Sequence, residues 1–326
     1  MTPDSETAPT GFFLHPESSR HDTGWGHPEH QGRLPAIASA LGADLLLLHD
    51  KVEQLEAEAA GREELERAHS AEHLAVVEGA CARAARDGKL VALDPSTVVS
   101  GGSWPAATGS AGAALAAARE VAAGKLANAF VAARPPGHHA TRDHSMGFCL
   151  VNNVAVAAHG LQAEGLAERV LIVDWDVHHG NGTQEIFEAD PSVFFLSLHQ
   201  SPHYPYTGDT GQTGVGAGKG FTMNVPLPAG TPAPTYRSRF EEALDRSLSR
   251  FTPDFVLVSA GFDVMAGDPL GSMTLEPADL AWMTRKVMEA ADRACAGRAV
   301  VTLEGGYAPK RTAEGVVAVV RALAGA

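Results

Sequence analysis

Short apolar segments rich in β-branched residues alternate along the chain with longer alanine-rich segments. A short apolar run bounded by turn residues is typical of a strand buried on both faces, and a longer run with helical spacing predicts a helix. The predicted strands are Gly11–His15, Ala129–Ala133, Val170–Asp176, Val193–His199, Phe255–Ala260 and Ala299–Glu304. The predicted helices are Pro35–Leu41, Ala71–Asp87, Ala106–Ala123, Val154–Glu164, Ala233–Ser249, Pro277–Ala296 and Ala313–Ala324. This alternation predicts an α/β fold, with a mainly parallel sheet covered by helices on both sides, in a single domain over residues 1–326.

Polar, glycine-rich segments follow directly after most of the predicted strands. They include "RPPGHHATRDHSMGF", "DVHHGNG", "GFDVMAGDPLGS" and "EGGYAPK". Open parallel sheets bind their ligands beyond the carboxyl ends of the strands. We therefore expect these loops to converge on one edge of the sheet.

The composition restricts the classes of function. With 326 residues, 44% of them hydrophobic, the chain is long enough for one large core. The formal net charge of −14 argues against nucleic-acid binding, which needs a basic surface, although it can attract a cationic substrate. Three widely spaced cysteines predict a reducing compartment. We expect a cytoplasmic protein without membrane partners, because no signal-peptide pattern and no membrane-spanning run is visible.

The stretch "DWDVHHGNG", which follows the apolar run from Val170, predicts a metal site. On a continuing strand Asp174, Asp176 and His178 point to one face, where buried carboxylates need a compensating charge. A polar cluster at a strand end is the alternative. Asp263, after the strand from Phe255, can add a third ligand, although it is also suited to cap a helix. Two carboxylates, one imidazole and an open position are typical of a catalytic zinc.

Two further segments supply groups for acid–base chemistry. His138 and His139 are adjacent, and Asp174 and Asn181 can orient their imidazole rings through hydrogen bonds. A carboxylate partner and an amide partner give the two imidazoles different pKa values, which separates acid and base roles. Tyr307, after two glycines, can donate a hydrogen bond to a developing oxyanion.

Nearly the whole chain resembles the histone deacetylase family, and specifically its class II-like branch, which also contains bacterial deacetylases and acetylpolyamine amidohydrolases. The motifs that carry the resemblance are "HPEHQGRL", "RPPGHHA", "GFCLVNNVAVAA", "VDWDVHHGNGTQEIF", "SLHQ", "GKGFTMNVPLPAG", "LVSAGFDVMAGDPLG" and "LEGGY". Asn181 and Glu304 match the class II pattern. The resemblance implies a three-layer α/β/α sandwich, the arginase/deacetylase fold. It also implies hydrolysis of acetyl or other short acyl groups from the ε-amine of lysine or a related small amine.

The resemblance also assigns roles to individual residues. One zinc per chain is expected on Asp176, His178 and Asp263. The catalytic set is expected to be His138, paired with Asp174; His139, paired with Asn181; and Tyr307. His139 activates water and then protonates the departing amine, while Tyr307 helps to hold the oxyanion.

Structural potassium and a substrate tunnel are implied in the same way. One potassium site is expected at Asp174, Asp176, His178, Ser197 and Leu198, and a second at Phe187, Asp190, Val193 and Phe221. The expected substrate-binding residues are Gly147, Phe148, Tyr204, Leu270, Gly306 and Arg33, the last beneath the acetate end of the tunnel. Tyr204 lies in "HYPYTGDTG", which departs from the family's aromatic-Pro-Gly-Thr-Gly pattern.

Three other interpretations remain open. An arginase-like two-manganese enzyme needs a D-x-H-x-D run, but Gly180 occupies its last position. A non-catalytic acyl-lysine binding module is less favoured, because every expected catalytic position is filled. An acetylpolyamine amidohydrolase is the main alternative, although Leu270 replaces the glutamate that attracts polyamines in the eukaryotic branch. The expected partner is an acyl-lysine peptide or protein, or a small acylated amine, and the oligomeric state is left open.

Overall fold

A computed structural model describes residues 8–326 of the chain. Residues 1–7 lie outside the described residues. They include the start of the predicted domain and the first part of the N-terminal segment for which no signal peptide was predicted.

Helices and short strands alternate through the described residues. The strands are β1 (Thr10–Phe13), β2 (Val52–Leu55), β3 (Val91–Ala92), β4 (Val98–Val99), β5 (Asn128–Val131), β6 (Val170–Asp174), β7 (Val193–Gln200), β8 (Thr222–Leu227), β9 (Phe255–Ala260) and β10 (Ala299–Leu303). The helices are α1 (Arg33–Leu48), α2 (Arg62–Ala68), α3 (Ala71–Asp87), α4 (Ser103–Ala122), α5 (Asn153–Ala163), α6 (Asn181–Phe187), α7 (Ala233–Arg250), α8 (Pro277–Cys295) and α9 (Pro309–Leu323). Short 3₁₀ turns cover Pro16–Arg20 and Gly216–Gly218.

The main sheet is parallel throughout, as the alternation of strands and helices predicted. Within residues 8–326 it has 8 strands in the order β2-β1-β5-β10-β9-β6-β7-β8. The pair β3–β4 forms a separate antiparallel ribbon. The sequence patterns missed β2 and β8 because both are edge strands with exposed or half-buried positions, and β8 also contains Pro226.

Alternate strand residues point to opposite faces of the sheet, and each face has its own core. Leu171 and Val173 pack in the core that α1, α7, α8 and α9 cover. Val170 and Ile172 pack in the other core, beneath α2, α3, α4 and α5. The three-layer α/β/α sandwich is therefore confirmed, and burial on both faces explains why the central strands are apolar over most of their length, with polar residues such as Asp174 and Ser259 at or near their carboxyl ends.

The prediction that a strand extends from Val170 to Asp176 is wrong, because β6 ends at Asp174. The Asp174 carboxylate bends towards the residues that follow it, and its Oδ1 accepts a hydrogen bond from Asp176 N at 3.0 Å. Asp176 and His178 thus lie in a loop and do not share a strand face with Asp174. Asp176 and His178 are therefore brought together by the conformation of this loop, and not by the alternation of side chains along a strand.

The order of the strands positions the loops that carry the polar motifs. The loops after β5, β6, β9 and β10 leave four adjacent central strands at the same edge of the sheet. This convergence confirms the expected location of the polar residues. Among residues 8–326, no helix combines the length and apolarity required to cross a bilayer.

Candidate active site

Asp176, His178 and Asp263 form a compact, buried cluster where the loops after β6 and β9 meet. His178 Nδ1 lies 3.0 Å from Asp176 Oδ1 and 3.3 Å from Asp263 Oδ2. Main-chain groups fix the carboxylates: Asp176 Oδ2 accepts from Gly305 N at 2.8 Å, and Asp263 Oδ1 accepts from Val177 N at 3.0 Å. The three side chains predicted as metal ligands are therefore brought together.

The charge of this cluster is suited to a divalent cation. Asp263 Oδ2 is buried and accepts no hydrogen bond. Burial and the neighbouring Asp176 raise the pKa of the Asp263 carboxyl to about 7. Although burial opposes it, the two carboxylates raise the pKa of His178 to about 10. A bound cation would satisfy the orphaned oxygen and remove the need for a proton on His178.

Backbone without side chains approaches the cluster closely. A Cβ at Gly305 would overlap Asp263 Oδ2 and would lie 2.6 Å from Asp176 Oδ2. Only glycine lets the loop after β10 run this close to both carboxylates.

His138, Cys149 and Glu304 form a second buried group with the spacing of metal ligands. Its polar atoms already have partners, because Glu304 Oε2 accepts from Gly137 N at 2.6 Å and from His138 N at 3.1 Å. Burial and the Glu304 charge raise the pKa of the Cys149 thiol well above its usual value, which disfavours the thiolate. This group is therefore a poorer metal site than the first.

The adjacent histidines have different partners, as the sequence predicted. His138 Nδ1 donates to Asp174 Oδ2 at 3.0 Å, and His139 Nδ1 lies 2.8 Å from Asn181 Oδ1. Burial lowers the pKa of His138, but Asp176 and Asp174 outweigh it and raise the pKa to about 10. Burial, together with the charges of His138 and His178, lowers the pKa of His139 well below its usual value. The pKa values of the two adjacent imidazoles are thus shifted in opposite directions.

A cavity of about 200 Å³ reaches His178 of the Asp176–His178–Asp263 cluster. It is lined by Ser96, His139, Gly147, Phe148, His178, His203, Tyr204, Leu270 and Tyr307. Phe148 packs edge-on against Tyr307, with ring centroids 5.5 Å apart, and Tyr204 packs edge-on against His139 at 5.2 Å. The side walls are thus aromatic, and the imidazole of His139 and the phenol of Tyr307 face the interior of the cavity.

Tyr307 is poised as a hydrogen-bond donor in this cavity. Burial and the carboxylates of Asp263 and Asp176 raise the pKa of its hydroxyl well above the usual value, so the hydroxyl stays protonated. Its backbone is fixed by Asp268, whose Oδ2 accepts from Tyr307 N at 2.6 Å.

Ser96 and His203 line the cavity but were not predicted. The His203 ring stacks on the His178 ring at 4.9 Å, and its Nε2 is 2.8 Å from Leu270 O. Ser96 belongs to a turn in which Asp94 Oδ1 accepts from Ser96 N and Oγ. Both residues come from loops without a recognisable metal or acid–base pattern, so the only available signal was their position after a predicted strand or in a turn.

Arg33 and Gly306 lie behind the cavity and not on its wall. Arg33 is fully buried and donates from Nε to Gly306 O at 2.7 Å and from Nη2 to Glu304 O at 2.6 Å. Its guanidinium also lies 5.1 Å from the centre of the Tyr307 ring. Arg33 therefore holds the segment that ends in Tyr307.

Glu29 is the counter-charge shared by two buried arginines, a role that sequence reasoning missed. Its Oε1 accepts from Arg33 Nη1 at 3.0 Å and from Arg134 Nε at 2.7 Å, and all three side chains are fully buried. These charges lower the pKa of Glu29 despite its burial. One carboxylate thus links the loops before α1, after β5 and after β10.

The residues predicted to hold potassium form two groups along β7. One lies towards its carboxyl end (Asp174, Asp176, His178, Ser197 and Leu198), and the other near its start (Phe187, Asp190, Val193 and Phe221). Asp174 and Ser197 are register partners of β6 and β7. Asp190 N donates to Phe187 O at 2.9 Å, and Phe221 O accepts from the main chain of β7 at the same distance. The residues of each group thus lie close together, and potassium binding by either group stays a prediction.

Comparisons with known proteins agree on one family. The protein-family model described as "Histone deacetylase domain" matches residues 27–323. A "Probable deacetylase" of Archaeoglobus fulgidus is 37% identical over 91% of this chain and 81% of its own. "Histone deacetylase-like amidohydrolase" of Pseudomonas aeruginosa is 37% identical over 94% and 77%. The crystal structure of the "HDA15 HD domain" superimposes with a TM-score of 0.91 at 37% identity, covering 98% of this chain and 89% of that chain. "Histone deacetylase 15" of Arabidopsis thaliana is longer, and the match spans 53% of it.

The Glu29 network predicts a large effect of removing a single charge. Glu29→Gln leaves two buried guanidinium groups without their counter-charge, which should lower the free energy of unfolding by about 3–5 kcal/mol in urea denaturation. Asp254→Asn is the control, because Asp254 pairs with Arg169 at the surface and its loss should cost less than about 1 kcal/mol. Equal losses in the two variants would contradict the role assigned to Glu29.

Proposed function

The chain belongs to the histone deacetylase family, and on that basis we propose that it is a zinc-dependent deacetylase. Its proposed reaction is hydrolysis of the amide that joins an acetyl or other short acyl group to the ε-amine of lysine or a related small amine. The observation that carries this proposal is the buried Asp176–His178–Asp263 cluster, with the orphaned Asp263 Oδ2, at the end of an aromatic cavity.

Zinc fits the donor set, since two carboxylates and one imidazole balance its charge and leave a position open to water or substrate. When bound, it polarises the amide carbonyl and lowers the pKa of water. The aromatic walls made by Phe148 and Tyr204 are suited to the apolar stem of a lysine side chain and exclude bulk water. A bound acyl-lysine would thus direct its amide towards His139 and Tyr307.

His139 is the proposed general base and acid. Its Nδ1–H donates to Asn181 Oδ1, and the Asn181 orientation is consistent because its Nδ2 donates to Met146 Sδ at 3.3 Å. This tautomer leaves Nε2 unprotonated, and the low pKa of His139 keeps the ring neutral. Nε2 can take a proton from water as it attacks the carbonyl carbon, and then deliver it to the departing amine.

His138 and Tyr307 provide electrostatic stabilisation. His138, charged and bound to Asp174, is a fixed positive group next to His139, and it opposes premature protonation of that ring. The protonated hydroxyl of Tyr307 can donate to the carbonyl oxygen as negative charge develops on it.

Leu270 favours acyl-lysine over a polyamine as the substrate. Its side chain lines the cavity and provides no counter-charge for a secondary ammonium group. Two structural potassium ions and a cytoplasmic location remain parts of the proposal. The three cysteines are free and buried, which is compatible with a reducing compartment.

Zinc binding is tested by Asp263→Asn, which retains an oxygen able to accept from Val177 N but places an amide where the orphaned oxygen stood. Loss of an outer-shell partner typically lowers metal affinity by about 10- to 100-fold. In a chelator competition, the zinc affinity of Asp263→Asn should fall by more than this, because a ligand itself is lost. His139→Ala is the control and should keep about one zinc per chain, because His139 is not a ligand. Full zinc content in Asp263→Asn would exclude Asp263 as a ligand.

His139→Ala should lower kcat more than His138→Ala. Only His139 is placed to move the proton in both steps, and general acid–base catalysis contributes about 10²- to 10⁴-fold. The measurement is steady-state turnover of an acetyl-lysine peptide, with zinc content determined on the same samples. A His139→Ala enzyme as active as wild type would show that the base is misassigned.

Leu270→Glu should shift preference from acetyl-lysine peptide towards acetylspermidine. A carboxylate in contact with an ammonium group contributes about 1 to 4 kcal/mol, depending on the effective dielectric, and the contribution weakens as salt is raised. Leu270→Gln is the uncharged control. Values of kcat/KM for both substrates at two ionic strengths measure the shift. A wild-type preference for acetylpolyamines, or no shift in Leu270→Glu, would contradict the acyl-lysine assignment.

A further inference from the structure

Tyr206 combines a strained backbone with an exposed ring. Its φ of 65° lies in the left-handed region, which is unfavourable for a bulky residue. Its relative exposure is 81%, the highest among the large hydrophobic residues of the described chain. Glycine, which the family pattern has at this position, would remove both costs. The presence of an aromatic side chain here, in spite of both costs, therefore suggests that the ring contacts a molecule other than the folded chain itself.

The neighbours of Tyr206 enforce its conformation. Tyr206 N donates to His203 O at 2.7 Å, which closes a tight turn. Thr207 Oγ1 lies 2.8 Å from the Nδ1 of the buried His179. Gly208 O lies 3.1 Å from His199 Nε2. Because both sides of Tyr206 are anchored in the protein, the ring is held out into solvent at a fixed place.

That place borders the mouth of the cavity. Tyr204, two residues before Tyr206, is a wall of the cavity, and so is His203. The cavity has a volume of only about 200 Å³, so the remainder of a larger substrate must lie outside its mouth. A second exposed aromatic residue, Trp25, is on the loop whose His27 packs against the wall residue Phe148 at 4.7 Å.

We propose that Tyr206 is a specificity-determining residue whose ring binds the polypeptide that flanks the acylated lysine. The proposal rests on the deacetylase function proposed above and selects a polypeptide substrate over a free acylated amine. A rigid aromatic side chain gives a large contact area at little entropic cost. The net charge of −14 also favours approach of the lysine-rich, cationic peptides in which such residues occur.

The test compares two substrates with wild type and Tyr206→Gly. One substrate is an acetyl-lysine peptide with several residues on each side, and the other is acetyl-lysine blocked at both termini. In Tyr206→Gly the KM for the peptide should rise about tenfold, the size expected for one aromatic contact. The kcat for both substrates and the KM for blocked acetyl-lysine should stay within about twofold, since ordinary surface changes have only small effects. Tyr206→Phe should behave as wild type.

Asp50→Gly controls for release of backbone strain. Asp50 is an exposed residue with φ of 64°, and it lies at the end of α1, outside the set of residues that line the cavity. Both glycine variants should keep or raise the melting temperature, but only Tyr206→Gly should change the KM for the peptide. Equal changes for both substrates, or none, would overturn the role of Tyr206 while leaving the deacetylase function intact. Wild type inactive on both substrates would overturn the deacetylase function, and the role of Tyr206 with it.

Discussion

Burial of two neighbouring carboxylates away from bulk solvent is the constraint on which the active site depends. Asp176 and Asp263 are fully buried, and burial together with the Asp176 charge raises the pKa of the Asp263 carboxyl. Taking such charges out of water costs several kcal/mol per ion unless opposite charge and hydrogen bonds compensate. Main-chain donors compensate in part, and His178 lies between the carboxylates. A zinc ion would complete the compensation and turn the unfavourable burial into an open catalytic site.

The surrounding structure follows from this constraint. Four adjacent parallel strands direct their loops to the cluster, so that its ligands come from rigid parts of the fold. Arg33, paired with Glu29, holds the loop that carries Tyr307 from behind, and Glu29 also pairs with the buried Arg134. The sheet thus supplies the position of the proposed metal site, and a second buried ionic network supplies the position of Tyr307, the proposed oxyanion donor.

The central sheet and the clustering of Asp176, His178 and Asp263 could be predicted from the sequence because they follow local rules. Strands buried on both faces are continuous apolar runs, and Asp176 and His178 directly follow one of them. The prediction of one strand that extends to Asp176 was wrong because the Asp174 carboxylate accepts a hydrogen bond from Asp176 N and so ends the strand. The periodicity of apolar residues does not encode such an interaction. The role of Glu29 and the stacking of His203 depend on contacts between loops distant in sequence. No spacing rule reports such contacts.

X-ray absorption at the zinc edge of the purified protein tests most directly whether zinc occupies the Asp176–His178–Asp263 cluster. This assignment predicts a first shell of nitrogen and oxygen only, at about 2.0–2.2 Å from zinc. The competing group of His138, Cys149 and Glu304 would add sulfur at about 2.3 Å. A sulfur shell, or protein without zinc after purification in the absence of chelators, would contradict the proposed site.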